Sequence, residues 1–363
     1  MGSKRRNRQH ADDERLNIQR VAKQAGVSIA TVSRVLNGVQ TVDKNLGKKV
    51  WEVVKELGYV PNDQARALVS GRSKILGVLI SDITNPFFPE LIKGFEEHAV
   101  AAGYESLIGS TSHDIQKMDK AINRMLERKV EGVAVMTFGI KEPLLERLAS
   151  RGLPMVFIDQ APPGGHASAI KIGYDRGFYE AVQHLAVLGH RRIAFISGPS
   201  FIQSAMRRSE SFHRALEQIG LEVEPRYLVS GDHTLDTALT ATKSLLDLPV
   251  PPTAIVCSND MTAIGALHAI TRMGLSVPQD VSVVGFDDVH FSQFTIPPLT
   301  TIRMSGFEIA GAAVSALKAH ISSERAPDPV IETRLVVRMS TSIPRGALSD
   351  LSAVGSPPRK HRN

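Results

Sequence analysis

From Lys74 onward the chain alternates short apolar runs with amphipathic segments of helical periodicity. The run ILGVLIS is typical of a buried strand, and PFFPELIKGFEEHAVAAG of a helix that begins near Pro86 or Phe87. Such alternation is typical of α/β domains, because parallel strands need crossover helices between them. The pattern occurs in two runs, one ending at the strand PMVFID and the other beginning near Gly173. It therefore predicts two doubly wound parallel-sheet subdomains.

Doubly wound sheets bind ligands outside the carboxyl ends of their strands, so a cleft between the subdomains would be lined by strand ends. Past Gly285, the segment PPLTTIRMSGFEIAGAAVSALKAHISS indicates a strand and a helix, and VIETRLVVRMST a single final strand. We expect these segments to cross back between the subdomains. The predicted effector-binding core is 74–345. Its N-subdomain covers about 74–173 and 303–333, and its C-subdomain about 174–302 and 334–345.

The stretch VAKQAGVSIATVSRVLNG, residues 21–38, predicts two short helices joined by a glycine turn, which is a helix-turn-helix. Gly26 supplies the positive φ of the bend. Asn17 and Ser28 stand where the two N-caps belong. The outward face of the second helix carries Ile29, Ala30, Ser33 and Arg34.

A third helix follows, with Asp43 as its expected N-cap and Gly58 as its C-terminal stop. Its predicted inward positions are Leu46, Val50, Val54 and Leu57. Together these segments form an all-α headpiece at 16–60, preceded by a tail at 1–15 that we expect to be disordered. The Gly, Pro and Ser-rich residues 346–363 form a second predicted disordered tail, without the leucine heptads of a coiled coil.

The segment 61–73 begins with Asn62 as a possible N-cap and ends at Ser70 and Gly71. A helix this short is below the ~12 to 15 residues at which isolated helices become marginally stable in water. It is therefore either an ordinary linker turn or a hinge helix that becomes ordered on DNA. In the second interpretation Leu68 enters the minor groove between base pairs.

Charge is concentrated at the front of the chain. Residues 1–74 contain 15 Lys and Arg against 7 Asp and Glu, and the rest contains 28 against 30. A basic front beside a helix-turn-helix favours double-stranded DNA as the partner over a merely solvated basic face.

Several function classes find no support in the sequence. Cys257 is the single cysteine, which excludes an intrachain disulfide, and the twelve histidines form no pairing typical of a metal site. No apolar run approaches the ~20 residues of a membrane span, and the basic start has no apolar segment typical of an export signal. Catalytic motifs such as G-x-S-x-G or a P-loop are also missing. We therefore expect a cytoplasmic protein that is not an enzyme and needs neither metal nor cofactor.

The order of the motifs resembles the lactose-repressor (LacI/GalR) family of bacterial transcription regulators. The resemblance covers about residues 16–345. The headpiece stretch above and ELGYVPNDQARAL match the family's headpiece and hinge, and NPFF, LGHRRIAFISGP, SNDMTAIGAL, VPQDVSVVGFDD and PPLTTIR recur along the core in family order. The family implies a homodimer whose second helix enters the major groove, and a core shaped like periplasmic sugar-binding proteins.

The resemblance also implies DNA-contacting residues. Ile29, Ala30 and Arg34 would read bases, Arg34 through a bidentate contact to guanine and the other two through apolar contacts, with Leu68 as the minor-groove wedge. Five further residues would act as caps and phosphate contacts, which set register and not sequence. These are Asn17, Ser28, Thr31, Ser33 and Asn37.

In the cleft, the resemblance points to eight effector-binding residues: Asp82, Phe87, Phe88, Asp159, Ser204, Arg208, Asn259 and Asp287. Carboxylates, an amide, an arginine and an aromatic wall suit a polyhydroxyl ligand. Each has a structural alternative: Phe87 and Phe88 could pack a helix start, and Asp159, Asn259 and Asp287 could cap the segments that follow them. Purine-binding members place an arginine where this chain has Ile202 and a phenylalanine where it has His233. This departure favours a sugar or sugar phosphate.

These observations predict a sequence-specific DNA-binding transcriptional regulator and favour a repressor. Its operator affinity is controlled by a small molecule bound between the core subdomains. The alternative is a ligand-binding receptor of the periplasmic type without DNA function. That alternative leaves residues 16–70 unexplained.

Overall fold

The computed structural model describes most of the headpiece and the core, and it divides into two units, residues 1–74 and 75–363. The described residues are 17–36, 42–59, 72–112, 114–137, 142–159, 161–162, 167–324, 326 and 328–345. The predicted disordered tails, the hinge helix with Leu68, and Asn37 lie outside these residues.

The first unit contains three helices: α1 (Ile18–Ala25), α2 (Ile29–Leu36) and α3 (Lys44–Leu57). The Asn17 side chain accepts a hydrogen bond from the backbone N–H of Arg20 at 3.0 Å, and the Ser28 hydroxyl accepts one from that of Thr31 at 3.1 Å. Gly26, between the helices, has φ +65°. The predicted helix-turn-helix, with its caps and its glycine bend, is therefore confirmed.

Helix α3 begins at the Asp43 cap and ends at Gly58, as predicted. Its buried residues are Val50, Val53 and Val54, whereas Leu46 is 40% exposed. The prediction that Leu46 faces the core was wrong. All three residues of the first turn are exposed, so α3 packs against α1 and α2 through its later turns.

The second unit contains two six-stranded sheets flanked by helices. The first sheet has the order β11-β5-β4-β3-β1-β2, and all of its neighbouring strands are parallel. Its strands are β1 (Ile75–Ile80), β2 (Glu105–Ser110), β3 (Gly132–Met136), β4 (Met155–Ile158), β5 (Ala167–Gly173) and β11 (Val330–Glu332). Its helices are α4 (Phe87–Ala101), α5 (Ile115–Glu127), α6 (Glu142–Ala149) and α11 (Gly306–Ile321).

The second sheet has the order β12-β10-β9-β8-β6-β7 and is parallel except for β12, which runs antiparallel to β10. Its strands are β6 (Ile193–Ser197), β7 (Leu228–Ser230), β8 (Ala254–Cys257), β9 (Ser282–Asp287), β10 (Thr300–Arg303) and β12 (Arg334–Val336). Its helices are α7 (Tyr174–Val187), α8 (Gln203–Ile219), α9 (Leu235–Leu246) and α10 (Asp260–Arg272), with 3₁₀ turns at Pro225–Tyr227 and His290–Phe294. We call the two halves the first and second lobes. The predicted pair of doubly wound parallel sheets is confirmed.

Two details differ from the sequence prediction. Strand β5 was not predicted, because in ASAIKIG buried residues alternate with half-exposed or exposed ones and the continuous apolar run is missing. The segment VIETRLVVRMST was predicted as one strand, but Thr333 divides it into β11 in the first sheet and β12 in the second. Periodicity cannot reveal that two adjacent triplets belong to different sheets.

The chain crosses between the lobes at three places: after β5, between β10 and α11, and at Thr333. The Thr333 side chain is fully buried. Its hydroxyl donates to the carbonyl of Gly173 at 2.7 Å and accepts from the N–H of Gly177 at 3.2 Å. The third crossing is thus hydrogen-bonded to the first.

Helix α3 carries a glycine at its fourth residue, Gly47, and a Cβ built there meets no atom within 4 Å. We expect Gly47→Ala to stabilise the helix by up to about 1 kcal/mol, because alanine loses less backbone entropy on folding. In hydrogen–deuterium exchange of the full chain, peptides from 44–57 should exchange more slowly. Peptides from the core are the internal control, and unchanged or faster exchange within 44–57 would contradict the expectation.

Candidate functional site

A cavity of about 530 Å³ lies where the carboxyl ends of the strands of the two sheets approach each other. Seven of the eight residues predicted to bind an effector line it: Asp82, Phe87, Phe88, Ser204, Arg208, Asn259 and Asp287. They come from both lobes and from five places in the chain: the loop after β1, the start of α4, helix α8, the loop after β8 and the end of β9. Strands and helices far apart in sequence therefore bring the predicted set to one place, as the doubly wound topology requires.

Arg208, in α8, forms a buried ion pair with Asp287 at the end of β9. The guanidinium donates from Nη2 to Asp287 Oδ1 at 3.3 Å and from Nη1 to the carbonyl of Ser258 at 2.6 Å. It also stacks on the Phe286 ring, with Cζ 4.0 Å from the ring centroid. Within the described part of the chain its Nε–H has no hydrogen-bond partner. Arg208 is thus held in place through both Nη atoms, and its Nε–H remains to be satisfied.

Asp287 is held in a conformation that L-residues rarely adopt, with φ +111°. Such backbone costs on the order of 1–3 kcal/mol, and it persists where the surrounding structure fixes it. Burial raises the pKa of the Asp287 carboxyl to about 6, although the adjacent Arg208 opposes the shift. A strained, buried carboxylate at a strand end is characteristic of a binding site.

Asp159 is the predicted residue that does not line the cavity. It accepts a hydrogen bond at Oδ2 from the hydroxyl of Tyr174 at 2.9 Å, and Tyr174 does line the cavity. Burial raises the pKa of Asp159, and it raises that of Tyr174 well above its ordinary value. Asp159 therefore positions a tyrosine that the sequence analysis missed, because a tyrosine at a helix start is equally typical of packing.

Some of the predicted residues both line the cavity and have the structural role that the sequence offered as an alternative, which is capping for Asn259 and packing for Phe87 and Phe88. Asn259 caps α10 by accepting from the N–H of Thr262 at 2.8 Å, and its amide donates to the carbonyl of His233 at 3.3 Å. Asp82 accepts hydrogen bonds from the N–H and the hydroxyl of Thr84 at 2.9 and 2.7 Å. Phe87 and Phe88 pack edge to face, with ring centroids 5.4 Å apart. Capping and packing thus fix the orientation of groups that also face the cavity.

The sequence analysis missed much of the lining. Ile202 and His233, noted only as departures from purine-binding relatives, both belong to it. The others it missed are Ser81, Asn85, Met136, Ile158, Tyr174, Pro199, Ser200, Phe201, Ser230, Gly231, Asp232, Thr234 and Met304. Seven of these others are the last residue of a strand or directly follow one, so a complete strand assignment would have indicated those seven.

The face predicted to contact DNA is formed by α2 in the first unit. Ile29, Ala30 and Arg34 are exposed, and Ile29 is 47% accessible despite its apolar side chain. Thr31 and Ser33 are partly buried, Asn17 is partly buried at its cap, and Ser28 is exposed. An isoleucine left in solvent beside an arginine on the second helix suits contact with base edges in a groove.

The described residues contain no cluster of three or more His, Cys, Asp or Glu side chains that could hold a metal ion. In the same part of the chain, no helix is long and apolar enough to cross a membrane.

Two family models match the chain. One, described as a periplasmic binding protein-like domain, matches residues 182–341, and the other, described as bacterial regulatory proteins of the lacI family, matches residues 17–62. Catabolite control protein A of Priestia megaterium is 34% identical over 330 residues, which are 90% of this chain and 99% of the relative. The chain belongs to the lacI family.

Other relatives agree with this assignment. The transcriptional repressor CytR of Escherichia coli (strain K12) is 34% identical over 325 residues, covering 88% of this lacI-family chain and 95% of CytR. The crystal structure of the lac repressor dimer bound to operator and the anti-inducer ONPF superimposes with a TM-score of 0.79 at 28% identity, covering 89% of this chain and 98% of that one. The regulator CelR in complex with cellobiose gives a TM-score of 0.67 at 28% identity, covering 90% and 100%. The chain is therefore a DNA-binding transcriptional regulator with a periplasmic-binding-protein-like core.

The raised pKa of Asp287 has a consequence for this lacI-family core. Because the folded protein binds this proton more tightly than the unfolded chain does, the group makes the free energy of unfolding rise as the pH falls from about 6 towards 4. The slope from this group is at most about 1.4 kcal/mol per pH unit. In a carbon-13 titration of labelled aspartates, we expect one carboxyl resonance with a midpoint near pH 6 that Asp287→Asn removes.

The matched control is Asp247→Asn, which changes an exposed aspartate at the end of α9. This variant should keep the resonance near pH 6. If the resonance survives in Asp287→Asn, the assignment is wrong.

Proposed function

We propose that this chain is a transcriptional repressor that binds operator DNA as a homodimer. Its affinity for the operator falls or rises when a small polyhydroxyl ligand occupies the core cavity. The observation that carries the proposal is the coexistence, in one lacI-family chain, of an exposed α2 face and a cavity lined from both lobes. The lac repressor structure, described as an operator-bound dimer, supports the dimeric DNA-bound form.

On the DNA, Arg34 is proposed to donate two hydrogen bonds to a guanine edge in the major groove, while Ile29 and Ala30 contact thymine methyl groups. Asn17, Ser28, Thr31, Ser33 and Asn37 would set the register through the phosphates. Leu68 would open a base step in the minor groove, so operator affinity would depend on DNA deformation as well as on base contacts.

In the core, the ligand would act through its different affinity for two arrangements of the lobes. The proposed contacts are the seven predicted residues that line the cavity, and Asp159 acts on the ligand through Tyr174. The cellobiose complex of CelR and the repressor names of the relatives support a ligand-responsive core. We further propose that the protein works in the cytoplasm by binding alone, without catalysis.

Replacing Arg34 by alanine should cost about 1 to 3 kcal/mol at one operator base pair and relax specificity there, because the bidentate contact discriminates that base pair. The operator is first obtained by selection from a random duplex library, and binding is measured by fluorescence anisotropy against single-base variants. Lys55→Ala, in the last turn of α3, is the control for lost positive charge. An equal loss on every sequence would show that Arg34 contacts only phosphate.

Replacing Leu68 by alanine should weaken operator binding and reduce DNA bending, because the wedge that separates the bases is shortened. Bending is measured by energy transfer between dyes at the two ends of the selected operator. Leu351→Ala, in the tail that follows the core, is the control. Unchanged bending with Leu68→Ala would refute the wedge role.

A further inference from the structure

The core cavity has two chemically different walls. The first lobe contributes four apolar groups, Phe87 and Phe88 from the start of α4, Met136 from the end of β3 and Ile158 from the end of β4, beside the polar Ser81, Asp82 and Asn85 of the loop after β1. The wall of the second lobe is mainly polar, with Arg208, Asp232, Asn259 and Asp287. A ligand that satisfies both walls must itself have a polar side and an apolar side.

A phenylalanine stands at the mouth of the cavity. Phe201, in the loop between β6 and α8, is 81% exposed although it lines the cavity. Its neighbour Ile202 is buried and stands at the N-cap of α8, where a polar side chain would normally accept a backbone N–H. This loop thus adds apolar surface to the cavity, and a ligand without an apolar part would make no favourable contact with that surface.

The charge balance of the cavity disfavours an anionic ligand. Among the lining residues that the structure describes, Arg208 is the only Lys or Arg, and it is already paired with Asp287. Asp82 and Asp232 add two further carboxylates. The N-termini of α9 and α10, also at the cavity, are capped by their own Thr234 and Asn259 side chains. A phosphate entering here would meet unbalanced negative charge without a free cation.

The cavity also offers hydrogen-bond donors that a neutral oxygen of a ligand could use. The N-cap of α8 has no side-chain hydrogen bond, and Ser204, in its first turn, lies at the cavity. Arg208 Nε–H adds one more donor. Hydroxyl groups and a ring oxygen can accept hydrogen bonds from these donors, and the hydroxyl groups can also donate hydrogen bonds to the carboxylates, which is the hydrogen-bonding pattern of a sugar ring.

From these observations we infer that the cavity takes an uncharged ligand in which a sugar ring is joined to a planar apolar group, and that Phe201 is the specificity-determining residue that covers this planar group. This inference rests on the proposed ligand-binding role of the core and narrows it. The sugar lies against the polar wall of the second lobe, and the planar group lies between Phe201 and the apolar wall. A volume of about 530 Å³ falls in the range of pockets that hold ligands with more than one ring, about 300–1,000 Å³. An aryl glycoside and a nucleoside share this chemistry.

The test compares matched probes on the full chain by isothermal titration calorimetry. One arm uses 4-nitrophenyl glycosides of glucose, galactose, mannose and xylose against the methyl glycosides of the same sugars. The other arm uses the four ribonucleosides against ribose and against the nucleoside 5′-monophosphates. In one of the two arms, the compound that carries the planar group should bind at least about tenfold more tightly than the matched compound without it, because an apolar ring leaves water on binding. The matched pairs are a nitrophenyl and a methyl glycoside of the same sugar, or a ribonucleoside and ribose. A nucleoside should also bind more tightly than its monophosphate.

The variant Phe201→Ala should remove most of the preference for the planar group while changing the affinity for the methyl glycoside or ribose less than about twofold. Phe291→Ala is the matched control, since Phe291 is 60% exposed but lies outside the cavity lining. It should leave all affinities unchanged.

Four results would overturn the inference: equal affinity within every pair, tighter binding of a monophosphate, a preference for the planar group that survives in Phe201→Ala, or no binding by any probe. Operator binding of the same preparations is measured in parallel. Loss of sequence preference on DNA refutes the proposed function, whereas intact operator binding with any of the four results refutes only the ligand assignment.

Discussion

The Thr333 hydroxyl connects the two lobes at the point on which the cavity depends. It donates to the carbonyl of Gly173 at the end of β5 and accepts from the N–H of Gly177 in α7, so the crossing from β11 to β12 is hydrogen-bonded to the first crossing at a fully buried position. A buried hydroxyl without these partners would cost about 1–3 kcal/mol. Three crossings at one edge keep the carboxyl ends of both sheets facing one cavity. Small changes in backbone dihedrals there can change the angle between the lobes without unfolding either.

The ion pair between Arg208 and Asp287 gives the cavity its electrostatic character. Because Asp287 lies at the end of β9 and Arg208 in α8, the pair links a strand end to a helix of the same lobe. Removing one partner of such a pair leaves a buried charge and costs about 3–5 kcal/mol. The pair therefore holds a polar wall in place before any ligand arrives, and stacking on Phe286 restricts the guanidinium further. A wall organised in this way reduces the entropy that a ligand must lose on binding.

The sequence predicts much of this fold because strong local signals coincide with the tertiary structure. Asn17, Gly26, Asp43 and Gly58 each have one common structural use, and each has that use in the headpiece. Leu46 shows the limit of periodicity, which gives the face of a helix and not how far along the helix its partners extend. Thr333 shows a second limit, since the division between β11 and β12 is set by which sheet edge each triplet reaches.

The site divides in the same way into parts that sequence motifs reveal and parts that they do not. Asn259 and Asp287 stand in the motifs SNDMTAIGAL and VPQDVSVVGFDD, whose local geometry is fixed by a helix start and a strand end, so resemblance could point to them. Phe201 lies in a loop where neither capping nor periodicity constrains the residue type, and only the three-dimensional structure brings it to the cavity. Motif residues thus form the frame of the site, whereas the loop after β6 adds a side chain that no motif indicates. The proposed preference for a planar apolar group therefore depends on that loop, and the shared family frame alone does not give it.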